Sequence, residues 1–174
     1  MTQRASKRTP EPKTPKAARP ALTPGYGISK APKGLLPWAE MEPKLVAARN
    51  YWVGSTRPDA RPHAMPVWGL WLNGAFYFST DPQSRKGRNL TANPETVVHL
   101  ESGDEVVILE GLVESVEDAA ELAAFADAYE KKYQFRPDVA DTSGKFAYYR
   151  LALRTAYAWH EKDFPTSATR WTFT

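Results

Sequence analysis

Asn73-Gly74 joins two extended-looking runs, Pro62–Leu72 and Ala75–Thr80. Asn-Gly between such runs is the strongest short-range hairpin signal, because both residues tolerate the positive φ that a two-residue turn requires. The chain is thereby committed to antiparallel pairing at its centre. The first run adds a second constraint. Ala64-Met65-Pro66-Val67-Trp68-Gly69-Leu70-Trp71-Leu72 has no charged or amide side chain on either face. An antiparallel strand normally shows one face to the core and one to water. The outer face of this one therefore needs cover from a helix, a partner subunit or a flat ligand. Pro66 offers no ladder N–H, so the strand is at an edge or bulged there.

Around this hairpin the pattern is mainly β. Tyr51–Ser55, Thr96–Glu101, Glu105–Ser115, a long segment within Phe146–Trp159 and a short Arg170–Phe173 read as further strands. Helical spacing appears in Pro37–Arg49, in 84–92 and in 118–133, where Leu122, Phe125, Ala126, Tyr129 and Tyr133 share one face. Ser115-Val116-Glu117-Asp118 resembles a helix-start box. Six or seven strands joined mostly by tight turns, with inserted helices, predict a closed or partly closed antiparallel barrel. The chain has no Gly-x-Gly-x-x-Gly and no regular strand–helix alternation, which excludes a Rossmann fold.

Where the third predicted strand ends, Ser79-Thr80 leads into Asp81-Pro82-Gln83-Ser84-Arg85-Lys86-Gly87-Arg88-Asn89. A helix opening at Asp81 to Ser84 carries Arg85, Lys86 and Arg88 in its first two turns. A helix N-terminus is already partly positive and prefers acidic side chains. Three cations there make sense if an anion sits among them, held also by free backbone N–H groups. The stretch reads as a phosphate-binding corner.

Charge is unevenly spread. Residues 1–36 hold eight Lys or Arg, one Glu and six Pro, so this stretch carries +7 and the remainder −4 of the overall +3. Such composition predicts a disordered basic arm over 1–36 and a folded domain over 37–174. The basic pI belongs to the arm and does not argue for a nucleic-acid-binding body. No apolar run reaches membrane-spanning length, and the N-terminus lacks the apolar core of a signal peptide. With no cysteine, thiolate chemistry and disulfides are excluded, which fits a cytoplasmic protein. His63, His99 and His160 show no metal-ligand spacing, and no carboxylate pair singles itself out as an acid and base. No metal site and no catalytic residue is assigned.

The set Phe78-Ser79-Thr80, Ser84-Arg85-Lys86, Arg88-Asn89-Leu90 and Asn93-Pro94 resembles the pyridoxamine-phosphate-oxidase-like superfamily, the flavin-binding split β-barrels that include deazaflavin-dependent oxidoreductases. Tyr51–Ser55, Asp59, Arg61-Pro62-His63 and Pro66-Val67 look like that family's first hairpin. The resemblance implies cofactor phosphate binding by Ser79, Thr80, Ser84, Arg85 and Lys86, with Arg88 and Asn89 beside them. It implies a flat ring against His63, Met65, Pro66, Val67 and Trp68, a homodimer with sites at its interface, and FMN or the 8-hydroxy-5-deazaflavin coenzyme (factor 420) as cofactor. The implied activity is hydride transfer to or from a small organic substrate. A non-catalytic cofactor-binding or storage protein would use the same corner. The lysine that pyridoxamine phosphate oxidases proper place on this strand is replaced here by Trp68 or Gly69, which argues against vitamin B6 oxidation.

Overall fold

The computed structural model describes residues 15–173. In chain order the elements are β1 (Lys16–Ala18), α1 (Met41–Ala47), β2 (Asn50–Thr56), β3 (Pro62–Leu72), β4 (Ala75–Thr80), α2 (Arg85–Ala92), β5 (Glu95–His99), β6 (Glu105–Ser115), α3 (Ala119–Tyr133), β7 (Ala147–His160), α4 (Phe164–Ser167) and β8 (Thr169–Thr172). The sheet runs β1-β8-β7-β4-β3-β2-β5-β6, and β6 pairs back onto β7. That last pairing closes β7, β4, β3, β2, β5 and β6 into a six-stranded antiparallel barrel. The fold is the expected split β-barrel with flanking helices.

Alternation along the strands sets what the barrel encloses. In β2, Tyr51, Val53 and Ser55 are buried while their neighbours are not. Phe76 and Phe78 of β4, Val98 of β5, Val107 and Leu109 of β6 and Leu151 of β7 join them in the main core. Trp171 of β8 and Met41 and Leu45 of α1 plug one end. β6 and β7 are the longest paired strands, and their register shifts at Glu110/Gly111. Such a bulge bends a strand enough for a small barrel to close.

The outer face of β3 gets part of the cover that its sequence demands. Phe125, Tyr129 and Tyr133 of α3 pack on Leu70 and Tyr77 in a second apolar cluster. The Tyr133 hydroxyl lies 2.8 and 2.7 Å from the Gly69 and Arg49 carbonyls, which share its one proton, and accepts from the Gly69 N–H at 3.0 Å, fastening helix to strand. The cap of α3 is Asp118, whose carboxylate accepts from the Glu121 N–H at 2.9 Å. The helix-start box seen at Ser115 therefore begins three residues too early, because Ser115 is still paired in β6 with Tyr149.

α3 reaches only the second half of β3. The β3–β4 ladder begins at Leu72/Ala75 and stops at Gly69/Phe78. The β2–β3 ladder continues without a break from Asn50/Trp68 to Thr56/Pro62. Residues 62–68 of β3 are thus paired on one side only. Pro66 lies in this stretch, so it marks an edge and not a bulge. Having no N–H, Pro66 must occupy a non-hydrogen-bonded pair with Trp52, which turns the backbone groups of Ala64, Pro66 and Trp68 toward the free edge.

The basic arm expected over 1–36 falls partly outside the described residues. Within 15–36 the chain departs from the expected disorder. β1 pairs with the edge strand β8. The Arg19 guanidinium donates to the carbonyls of Ala31, Lys33, Thr166 and Ala168. This arginine and the β1–β8 pairing together supply an ordering that composition alone does not reveal.

Candidate functional site

β4 ends at Thr80, and the chain turns through Asp81–Gln83 into α2, which packs against β2. Ser84 is the N-cap of α2: its backbone is extended and its hydroxyl accepts from the Gly87 N–H at 3.0 Å. Thr80 Oγ1 lies 3.3 Å from Ser84 Oγ. The Arg88 N–H is taken by the Ser84 carbonyl. Among the described residues, the N–H groups of Arg85 and Lys86 have no acceptor. These are the orphan donors of a helix start, a ready anion site.

The close seat of α2 depends on Gly87. A Cβ there would stand 2.4 Å from the Asp81 carbonyl oxygen and 2.6 Å from Pro82 Cα. Any other residue would push the helix start away from the turn. Glycine within a short helix costs stability relative to alanine, and this contact is what offsets it. Gly87 was not among the predicted site residues, although its place inside a short predicted helix is a signal for it.

The three cations of the corner separate on folding. Lys86, Gly87, Asn89 and Leu90 face the barrel, whereas Arg85 and Arg88 are exposed. Arg88 is tied back over the helix start to the Gln83 carbonyl, which occupies one of its guanidinium donors. Lys86 is only 9% exposed, with Nζ 5.7 Å from the centre of the Phe78 ring. Among the described residues it forms no ion pair. Burial alone pushes its pKa down to about 8. A buried ammonium held only against an aromatic ring lacks the partner that normally stabilises it.

The remaining predicted positions divide between two faces of the sheet. His63, Met65 and Val67 stand opposite Ser55, Val53 and Tyr51, on the face that points into the barrel. Val67 packs on the core and Met65 is 48% exposed at the free edge. His63 lies within reach of the corner's charge: burial first, then Arg57, Lys86 and Arg85, lower its pKa. Pro66 and Trp68 point to the outer face, where the Trp68 ring stacks on Tyr133 at 4.7 Å. Asn89 is fully buried and its amide donates to Ser55 Oγ at 3.1 Å. Ser79 lines a separate cleft of about 330 Å³ with Tyr129, Phe135, Phe146 and Tyr148. The structure therefore gathers Thr80, Ser84, Arg85, Lys86, Asn89 and His63 at one corner and turns Ser79 to the other cleft. It sets Val67, Trp68 and Arg88 to other contacts.

Among the described residues, no three metal-ligating side chains converge, and no helix is long and apolar enough to cross a membrane.

The family model for pyridoxamine 5'-phosphate oxidase matches residues 38–160. No curated protein sequence matches the chain. Solved structures share its fold. A conserved hypothetical protein from Mycobacterium tuberculosis is 22% identical, with 76% of this chain and 90% of that one covered and a TM-score of 0.64. A heme binding protein from Mycobacterium smegmatis is 22% identical, with 71% and 55% covered and a TM-score of 0.59. A factor 420 reductase is 21% identical, with 65% and 93% covered and a TM-score of 0.51.

The Lys86 pKa makes the corner's behaviour depend on pH. Unfolded, this lysine titrates near 10.5; folded, near 8. Between these values the unfolded chain binds more protons. The contribution of Lys86 to stability is therefore fully present above about 10.5 and lost as pH falls through about 8. Anion affinity runs the other way, because the charged form is the one that attracts an anion. Inorganic pyrophosphate binding, followed by calorimetry, is expected to weaken about tenfold between pH 7 and pH 9. Lys86→Arg, which stays charged, should flatten that profile; an unchanged profile in the variant would assign the titration elsewhere.

Proposed function

The chain belongs to the pyridoxamine 5'-phosphate oxidase family, and from that premise we propose that it is an oxidoreductase using FMN or the 8-hydroxy-5-deazaflavin coenzyme, with the cofactor phosphate held where β4 runs into α2. The observation that carries this reading is Lys86: a nearly buried ammonium with no counter-charge, beside two unclaimed N–H groups. The donor set suits a phosphate. The N–H groups of Arg85 and Lys86, the hydroxyls of Thr80 and Ser84, and the cations of Arg85 and Lys86 are all donors, and a phosphate is an acceptor only. Such charge-assisted bonds are about twice as strong as neutral ones.

When bound, the cofactor ring supplies the hydride chemistry, and the protein's part is anchoring and orientation. The free edge of β3 suits that part. Its backbone groups at Ala64 and Trp68 face outward without partners in the sheet, and Met65 and Pro66 beside them are exposed. A flat ring with polar edges can hydrogen-bond to such an edge as an added strand would. A factor 420 reductase among the fold neighbours keeps the deazaflavin beside FMN.

The same reading holds that two copies associate. Its support is the outer face of β3 beyond α3, where Ala64, Pro66 and Trp68 are exposed and Val97 of β5 lies in the row of Gly54 and Ala64. An exposed apolar strip of this kind marks an interface. Sedimentation equilibrium should give about twice the 19.5 kDa chain mass, and a monomer at micromolar concentration would refute the pairing.

The phosphate reading is tested by titrating both cofactors into the wild-type chain and into Arg85→Ala/Lys86→Ala. Two charge-assisted contacts at about 1.5–3 kcal/mol each predict at least a hundredfold loss of affinity. Equal affinity in the two proteins would end the assignment. Turnover with a reduced cofactor and an electron acceptor then separates an oxidoreductase from a storage protein.

A further inference from the structure

Phe135 and Phe146 are 59% and 50% exposed, and both belong to the walls of one cleft. α3 ends at Tyr133, and Gln134 takes the left-handed conformation (φ 57°) with its N–H on the Glu130 carbonyl. That helix end turns Phe135 back over Tyr129, edge to face, with ring centres 6.5 Å apart. Phe146 leads into β7, where Tyr148 pairs with Ser79 of β4. The four rings and Ser79 enclose about 330 Å³, which is within the range of small-molecule sites. Ser79 faces this cleft, whereas Thr80, the next residue, faces the α2 corner. The two sites therefore lie on opposite faces of one strand end.

The charge at the cleft is negative. Asp138 and Asp141 line it, opposed by Lys145. Asp138 accepts from the Ala140 N–H at 3.1 Å, and Asp141 from the Ser143 N–H and hydroxyl, both at 2.8 Å. Among the described residues, neither carboxylate forms an ion pair. Arg136, in the same stretch, is taken up by Asp127 and Glu130 at 2.7 and 2.9 Å. Burial first, then the charges of Asp138 and Asp141, raises the Tyr148 pKa, so both carboxylates lie within reach of that ring. Lys145 Nζ stands 5.6 Å from the centre of the Phe146 ring, so an ammonium already rests on one wall. Several rings around one space form the kind of cage that recognises ammonium ligands.

We propose that the cleft between α3 and β7 binds a small organic cation, an amine or quaternary ammonium with a flat or short apolar body. The rings take the cationic head and the apolar body. Asp138 and Asp141 supply the counter-charge, and Lys145 competes for the Phe146 face from within the chain. The site is separate from the α2 corner and does not rest on the phosphate reading.

The test titrates three probes of one shape into the full-length chain without cofactor, followed by ligand-observed NMR: 2-phenylethylammonium, 2-phenylethanol and phenylacetate. The ammonium is expected to bind about fivefold tighter than the alcohol, and phenylacetate weakest. Phe135→Ala/Phe146→Ala should weaken the ammonium about tenfold. Asp138→Asn/Asp141→Asn should cost about fivefold and remove the preference for the ammonium over the alcohol. Lys145→Ala, which removes the internal competitor, should tighten the ammonium about threefold. All these side chains are exposed, and an unchanged melting temperature shows that the variants fold. Equal affinity for the three probes, a preference for phenylacetate, or an ammonium affinity that survives both double substitutions overturns the proposal. So does an absence of binding by any probe.

Discussion

β4 parts from β3 with seven residues of β3 still beyond the last shared pair, while it stays paired with β7 to Thr80, and the rest of the site follows from that mismatch. The ladder between them stops at Gly69/Phe78. Beyond this point β3 keeps one partner, β2. α2 brings Lys86 over Phe78 and Asn89 against Ser55, at the end of a barrel whose interior is otherwise aromatic and aliphatic. A continuous ladder would have satisfied the strand and left no room for a ligand.

The electrostatics of the corner are those of an incomplete pair. Burying an ammonium is unfavourable unless something opposite in charge lies near it. Here the helix dipole and the exposed Arg85 add to the positive field. The fold tolerates the arrangement because Lys86 rests on an aromatic face and because the close packing at Gly87 fixes the helix start in place. A phosphate in this position would relieve the cost of burial and satisfy the two open N–H groups together. On the proposed function the corner is organised before a phosphate arrives, which would lower the ordering cost of binding.

Much of this was legible in the sequence. β3, β4 and β6 begin and end where hairpin chemistry and alternation predict, because Asn73-Gly74 fixes one register and polar turns bound the others. The corner was legible because three cations at a helix start contradict the dipole. Other features depend on register or on distant contacts. Nothing local shows that Ser55 faces His63, that Arg57 lies near both, or that Arg88 bonds back to Gln83. Pro66 signalled an edge or a bulge, and only the length of β4 decides between them. The first helix is shorter than its pattern, since residues 38–40 tighten into a 3-10 turn before α1. Composition was misleading for 15–36, where a single arginine and a three-residue strand hold a proline-rich segment to the barrel.

On the proposed function, a cofactor phosphate completes the charge of Lys86 at the start of α2. A crystal structure of the chain with its tighter-binding flavin-type cofactor tests it most directly. The account predicts phosphate oxygens within hydrogen-bond distance of Lys86 Nζ and of the Arg85 and Lys86 N–H groups. A phosphate bound elsewhere, with Lys86 still facing only Phe78, would contradict it.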